Sequence, residues 1–366
     1  MARVSLKRLF LMLTLLAACP AVQRLAALAP VRIDGVSYID ATALGERFGL
    51  RAGWAEPEKR LLLQKTAVNL EFVVNQREAV FDGRRVYMGA PAVYRQHSVW
   101  VSWIDAEDLL APLLRLGLDR PPPVHTIVLD PGHGIPDNGA ENKRLGLKER
   151  VLTLDTAFRL KKVLESQGYH VVMTRTTDRA FSPDKKTDLR RRDEIAAEAG
   201  ADLFISLHFN SAGQYVAGEN IGAVHGTETY RFTPRYQIPL RRSFNRPEDD
   251  EANPGDKNDK WNTLLGYCVE RAALAGLGSY DRGLRHDQIA VLRLSPCPAV
   301  LIEGGYLTND AEARKLATPA YRQKLAEAIA EGVRAYANLG RPPPPPVPPP
   351  AAPPPAGFPA QSPAQK

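Results

Sequence analysis

Three apolar runs in this chain stop abruptly on residues that carry chemistry, and no other feature narrows the fold as much. Thr126-Ile127-Val128-Leu129 runs into Asp130-Pro131-Gly132-His133-Gly134, and Asp202-Leu203-Phe204-Ile205-Ser206-Leu207 into His208-Phe209-Asn210. Ala299-Val300-Leu301-Ile302 runs into Glu303-Gly304-Gly305. Such runs read as buried strands, and in open α/β sheets ligands gather at the carboxyl ends of strands. Imidazole and carboxylate are what zinc takes from a protein when it keeps a position open for water. His133, Glu149 and His208, with Glu303 to spare, therefore spell a hydrolytic metal site.

The rest of the chain alternates in a way that agrees. After Pro121-Pro122-Pro123, a stiff linker over 120–123, strands at 124–129, 169–175, 202–207, 226–232, 290–293 and 299–302 are expected. Helices are expected over 148–167, 188–199 and 262–277 and from Asp310 and Ala320. This order predicts an α/β unit over 124–340, with a mostly parallel twisted sheet and helices on both faces. Residues 30–119 read as a small α+β domain. Strands at 31–38, 60–64, 69–73, 79–88 (turning at Asp82-Gly83) and 98–102 accompany a helix over 41–48 and a helical pattern over 105–116. It holds no cluster of His, Asp and Glu, so no chemistry is assigned to it; wall or partner binding and a structural role both stay open. Residues 233–258, with four prolines and Glu248-Asp249-Asp250-Glu251, read as a long polar loop, and long loops in compact domains are usually functional or mobile. From 341 to 366 the chain is mostly proline and alanine, a tract that cannot bury enough apolar surface to fold.

The amino terminus bears on location. Arg3, Lys7 and Arg8 precede the apolar stretch Leu9–Leu16 and the small residues Ala17-Ala18-Cys19, which reads as a secretory signal over 1–29. Leu16-Ala17-Ala18-Cys19 also resembles a bacterial lipobox, with lipid on Cys19; cleavage between Ala21 and Ala29 is the alternative. Both place the mature protein outside the cytoplasm, in the periplasm, envelope or medium. Cys268 and Cys297 lack metal-ligand spacing; a disulfide is permitted, and a buried thiol is the simpler expectation for Cys268. The formal net charge of +7 suits an anionic polymer without identifying one, and no nucleic-acid motif is present.

Hydrolysing an amide near neutral pH needs a nucleophile stronger than water, which zinc supplies by lowering the pKa of its bound water to about 7. A carboxylate beside the metal but not bound to it can take the water's proton and return it to the departing amine. Glu303 fits that duty.

Asp130-Pro131-Gly132-His133-Gly134, Lys148-Glu149, Ser206-Leu207-His208-Phe209-Asn210 and Leu301–Asn309 together resemble the zinc-dependent N-acetylmuramoyl-L-alanine amidases of type 3. The resemblance covers 124–338 and extends to Thr174–Asp178, Arg191, Arg282-Gly283-Leu284 and Val291-Leu292-Arg293. It implies that His133, Glu149 and His208 bind Zn2+, that Glu303 is catalytic, and that the substrate is peptidoglycan, cut between N-acetylmuramic acid and L-alanine during wall remodelling or cell separation. Residues 30–119 resemble a copper-amine-oxidase N-terminal-like domain by pattern. The sequence departs at Ile135-Pro136, where the family commonly has a further glycine, and in the acidic loop 233–258, which stands where regulated members carry a helical plug; it identifies no activator. Asn210 is expected to support the metal shell or substrate. Arg293, like Arg175 and Arg191, could contact peptide carboxylates or form internal salt bridges. His225 and His286 are expected to be surface or packing residues. A zinc peptidase acting within the stem peptide, and a non-catalytic wall-binding protein, are the alternatives.

Overall fold

The computed structural model describes residues 28–213, 221–244 and 246–341. The signal segment, Cys19 and the proline-rich tail lie outside the described residues, save Leu28, Ala29 and Arg341 at their edges. Nine strands come before the proline linker: β1 Val31–Ile33, β2 Val36–Asp40, β3 Arg51–Glu56, β4 Arg60–Lys65, β5 Val68–Val73, β6 Glu78–Phe81, β7 Arg84–Tyr87, β8 Val93–Arg95 and β9 Ser98–Ser102. After it come β10 Thr126–Pro131, β11 Glu141–Asn142, β12 Leu147–Lys148, β13 His170–Met173, β14 Leu203–Asn210, β15 Thr227–Phe232, β16 Asp281–Asp287 and β17 Ala299–Tyr306. The helices used below are α1 Ala41–Arg47, α2 Glu149–Ser166, α3 Lys185–Glu198, α4 Asp259–Leu277, α5 Ala290–Arg293, α6 Asp310–Leu316 and α7 Pro319–Ala337.

One sheet of 11 strands, in the order β13-β10-β14-β17-β15-β16-β7-β6-β5-β4-β3, runs through both parts of the chain. Its first four strands are parallel, β15 is antiparallel to β17, and β16 pairs in parallel with β15 and, through Leu284 opposite Val86, with β7. The linker therefore does not separate two freely jointed bodies: the amino-terminal meander extends the larger sheet. Tyr267 and Leu284 pack into the amino-terminal core.

The alternation of side chains along each strand sorts the core. Ile127, Leu129, Leu203, Ile205, Leu207, Val300 and Ile302 face α2, α4 and α7. Val128, Phe204, Leu301, Tyr230 and Phe232 face the other way, toward Ala196 of α3 and Val291 and Leu292 of α5. That second face ends, at the carboxyl edge of the sheet, in His208, Glu303 and Glu228. They lie side by side because His208 is opposite Glu303 in one ladder and Glu228 is opposite Glu303 in the next.

Two local expectations are corrected. Residues 290–293 form a one-turn helix, not a strand, burying Val291 and Leu292 with one side only. The sheet position goes to β16, whose sequence Asp281-Arg282-Gly283-Leu284-Arg285-His286-Asp287 hides its strand character behind charged residues that are buried or half-buried. Edge strand β3 was also unexpected: five of its six residues are exposed, so no apolar alternation marks it.

Candidate metal centre

Asp130 organises the loop that delivers the first histidine. Its carboxylate, 1% exposed, accepts from Thr174 Oγ1 (2.6 Å), Ser206 Oγ (2.7 Å) and Arg192 (2.7 Å). Arg192, reaching in from α3, donates onward to the carbonyls of Pro131 (2.9 Å) and His133 (2.8 Å) and pairs with Asp188. Arg175 donates to the carbonyls of Pro131 (2.9 Å), Gly132 (2.8 Å) and Arg150 (2.8 Å), tying the same loop to α2. Both guanidinium groups thus hold the backbone of this loop, Arg192 while also paired with Asp130 and Asp188. So held, His133 sits at φ 65°, a left-handed conformation that costs a non-glycine residue free energy and is kept where surrounding contacts over-determine it.

His133, Glu149 and His208 come together from strand end, helix start and strand end, and one ligand atom from each lies within 4.8 Å of the others. His133 Nε2 is 3.1 Å from Glu149 Oε2, and His208 Nδ1 is 2.8 Å from Glu149 Oε1. Ligands about 2.0–2.1 Å from one tetrahedral ion stand about 3.3 Å apart, so the set is close to the size zinc requires. Glu149 opens α2, where a carboxylate is favoured by the helix dipole. It also accepts the amides of Ala140 (2.6 Å) and Phe209 (3.1 Å). Burial pushes its carboxyl up, but the two imidazoles outweigh this and hold it well below the usual carboxylate range. Burial likewise disfavours a charged His133, yet Glu149 and Asp137 prevail and raise it. The space among the three side chains is one in which positive charge is stabilised.

Two glycines make room for this cluster. A Cβ on Gly132 would stand 2.8 Å from His208 Nδ1 and closer still to Nε2 and Cε1. On Gly139, at φ 66°, it would stand 2.8 Å from His133 Nε2 and closer to Glu149 Oε2.

Glu303 lies beside His208 on the neighbouring strand, and its Oε2 is buried without a hydrogen-bond partner among the described residues. A buried polar atom left unpaired calls for an explanation, and a catalytic role or a bound water or ion is one. Burial raises its carboxyl well above the ordinary value, the charges of Glu149 and Glu228 add to this, and Arg241 opposes it.

Asn210 donates to Glu228, which also accepts from Tyr306 Oη (2.7 Å) and faces Arg285 Nε at 3.3 Å. Glu228 and Asp137, whose Oδ2 is 2.9 Å from His133 Nδ1, escaped sequence reasoning. Glu228 left a readable signal, a charge on the face that Tyr230 and Phe232 bury; Asp137, in an irregular loop, left none. Arg293 is exposed on α5 and is not among the residues lining the cleft at the cluster, and Arg191 is half-buried and paired with Glu194 and Glu198. His286 is buried against Thr233, and His225 is exposed beside Tyr280. Cys268 and Cys297 are free, buried thiols, each pushed up to about 12 by burial.

The α/β sheet thus carries a His–Glu–His cluster that could hold a metal ion, with a buried glutamate on the adjacent strand. Residues 127–335, more than half of the chain, match the N-acetylmuramoyl-L-alanine amidase family, and the chain belongs to it. Residues 22–104 match the copper amine oxidase N-terminal domain. The chain is 32% identical over 227 residues to the amidase AmiA of Escherichia coli (strain K12), covering 57% of this chain and 75% of AmiA. It is 31% identical over 219 residues to the amidase LytC of Bacillus subtilis (strain 168), covering 60% of this chain but only 37% of LytC, so it spans little more than a third of that relative. The crystal structure of an amidase from Clostridium difficile 630 aligns with a TM-score of 0.47 and 29% identity, over 59% of this chain and 98% of that one.

Proposed function

We propose that the chain is a zinc-dependent peptidoglycan amidase, cutting the amide between N-acetylmuramic acid and L-alanine of the stem peptide during wall remodelling or cell separation. The observation that carries this is the convergence of His133, Glu149 and His208 beside the unpaired carboxylate of Glu303. His133, Glu149 and His208 would hold zinc, which when bound supplies an acidified water and a Lewis acid for the scissile carbonyl. Glu303 would accept the attacking water's proton and return that proton to the departing alanine amine. Asp137 fixes the tautomer and ring plane of His133, as a carboxylate behind a ligating imidazole does. Glu228, pinned by Asn210, Tyr306 and Arg285, keeps the floor under Glu303 rigid.

The division into a signal over 1–29, a small domain over 30–119, a linker over 120–123, a catalytic domain over 124–340 and a tail over 341–366 belongs to the same proposal. So does action outside the cytoplasm, with lipid on Cys19 as one form of the mature chain. Among the described residues no helix is long and apolar enough to cross a membrane. Purified muropeptides incubated with mature protein, with and without chelator and beside Glu303→Ala, test the activity. The expected products are a peptide with an amino-terminal L-alanine and a glycan that keeps its lactyl group. Cleavage inside the stem peptide, or none by zinc-loaded protein, refutes the proposal.

A further inference from the structure

The loop 233–258 sends one side chain into the cluster's cleft, and the amino-terminal part of the chain clamps the backbone on both sides of it. The cleft, about 250 Å³, is lined by His133, Asp137, Lys185, His208 and Arg241 among others. Arg241 comes from the loop. Its Nε is 3.0 Å from Asp287 Oδ2, yet its side chain stays 72% exposed, and Tyr230 and Glu303 lie within its electrostatic reach. Arg192, the other arginine in the lining, is consumed by Asp130, Asp188 and backbone carbonyls. Arg77, between β5 and β6, donates to the carbonyls of Ile238 (2.5 Å), Leu240 (3.5 Å) and Arg242 (2.9 Å). Gln237 donates to the buried Asp105, and it packs so closely on Gly89 that a Cβ there would collide with it. Fixing a loop in advance removes an ordering cost that binding would otherwise meet.

We propose that Arg241 recognises a carboxylate on the peptide side of the scissile amide, and that Arg77 positions it. The reading rests on the activity proposed above, in which the stem-peptide residue after L-alanine carries either a free carboxylate or its carboxamide. An arginine fork binds a carboxylate through paired, charge-assisted hydrogen bonds that a carboxamide cannot reproduce. The amino-terminal part then acts as an internal template for the substrate loop, whatever else it binds.

The test is equilibrium binding to the full mature chain, zinc-loaded and carrying Glu303→Gln so that nothing is consumed. The ligands are two muropeptides differing only in carboxylate or carboxamide at the residue after L-alanine. The chain without further change is expected to prefer the carboxylate by about tenfold to a hundredfold, the range a charge-assisted hydrogen bond supplies. Arg241→Gln is expected to remove that preference while leaving carboxamide binding and zinc content unchanged, and Arg241→Lys to restore part of it. Arg77→Gln should reduce the preference less, and should add nothing on top of Arg241→Gln. No preference in the starting chain, equal weakening of both ligands by Arg241→Gln, or loss of preference with Lys185→Gln instead, overturns the inference. Because the readout is binding, discrimination by the Glu303→Gln chain, with no cleavage of either ligand by the zinc-loaded chain that keeps Glu303, sinks the activity proposed above and leaves this inference standing.

Discussion

Replacing Asp130 by Asn perturbs stability and site through one buried ion pair. Asp130 and Arg192 are each 1% exposed and 2.7 Å apart, and the hydroxyls of Thr174 and Ser206 also donate to Asp130. Asparagine keeps the shape but turns an NH2 toward donors and strips Arg192 of its nearest countercharge. Breaking a buried pair by removing one partner costs about 3–5 kcal/mol. Arg192 keeps Asp188 at 2.9 Å and two carbonyls, so the lower end, about 3 kcal/mol, is expected. That is a large share of a total of about 5–15 kcal/mol. Burial pushes the Asp130 carboxyl up, but Arg192 and the donating hydroxyls overcome this and hold it below its ordinary value. A carboxyl depressed in the folded state stabilises above its unfolded pKa, about 3.9, and that contribution fades as pH falls through the folded value. The gap between native protein and variant should therefore be full at pH 7 and shrink below about pH 4. Urea unfolding of zinc-depleted protein, followed by circular dichroism across pH, measures it. A gap under about 1 kcal/mol at pH 7, or one that stays constant into acid, refutes the reasoning.

Other substitutions probe the cluster directly. Gly132→Ala should displace the His208 imidazole and cut zinc affinity by about tenfold or more with little loss of folding, read by competition with a chromophoric chelator. Asp137→Ala should weaken zinc binding about 10–100-fold by releasing His133, and an unchanged affinity would show the contact to be incidental. Glu303→Ala should keep zinc and lose about 10²–10⁴-fold in turnover, measured as alanine-terminated peptide released. Chelator should abolish turnover, and added zinc should restore it.

Much of the candidate site was legible because strand ends announce themselves: apolar runs halting on His133, His208 and Glu303 marked three of the four residues that the fold brings together. The fold class followed from the same alternation. What was not legible lay where burial is satisfied by pairing instead of by apolarity. Strand β16 carries Asp281, Arg285, His286 and Asp287, so its place in the sheet depends on partners far away in sequence. Glu228 looked like an ordinary charge on an alternating strand until its register put it beside Glu303.

The chain's own order of residues determined which groups could ligate a cation and roughly which elements would carry them, because backbone sterics and side-chain alternation act locally. Tertiary structure alone decided that Asp130 and Arg192 would brace the first histidine, and that Arg77 would grip a loop more than 160 residues later. It also decided that the amino-terminal strands would continue the catalytic sheet. Those choices depend on desolvated charges finding countercharges and carbonyls across the fold, and sequence spacing carries no information about such distances.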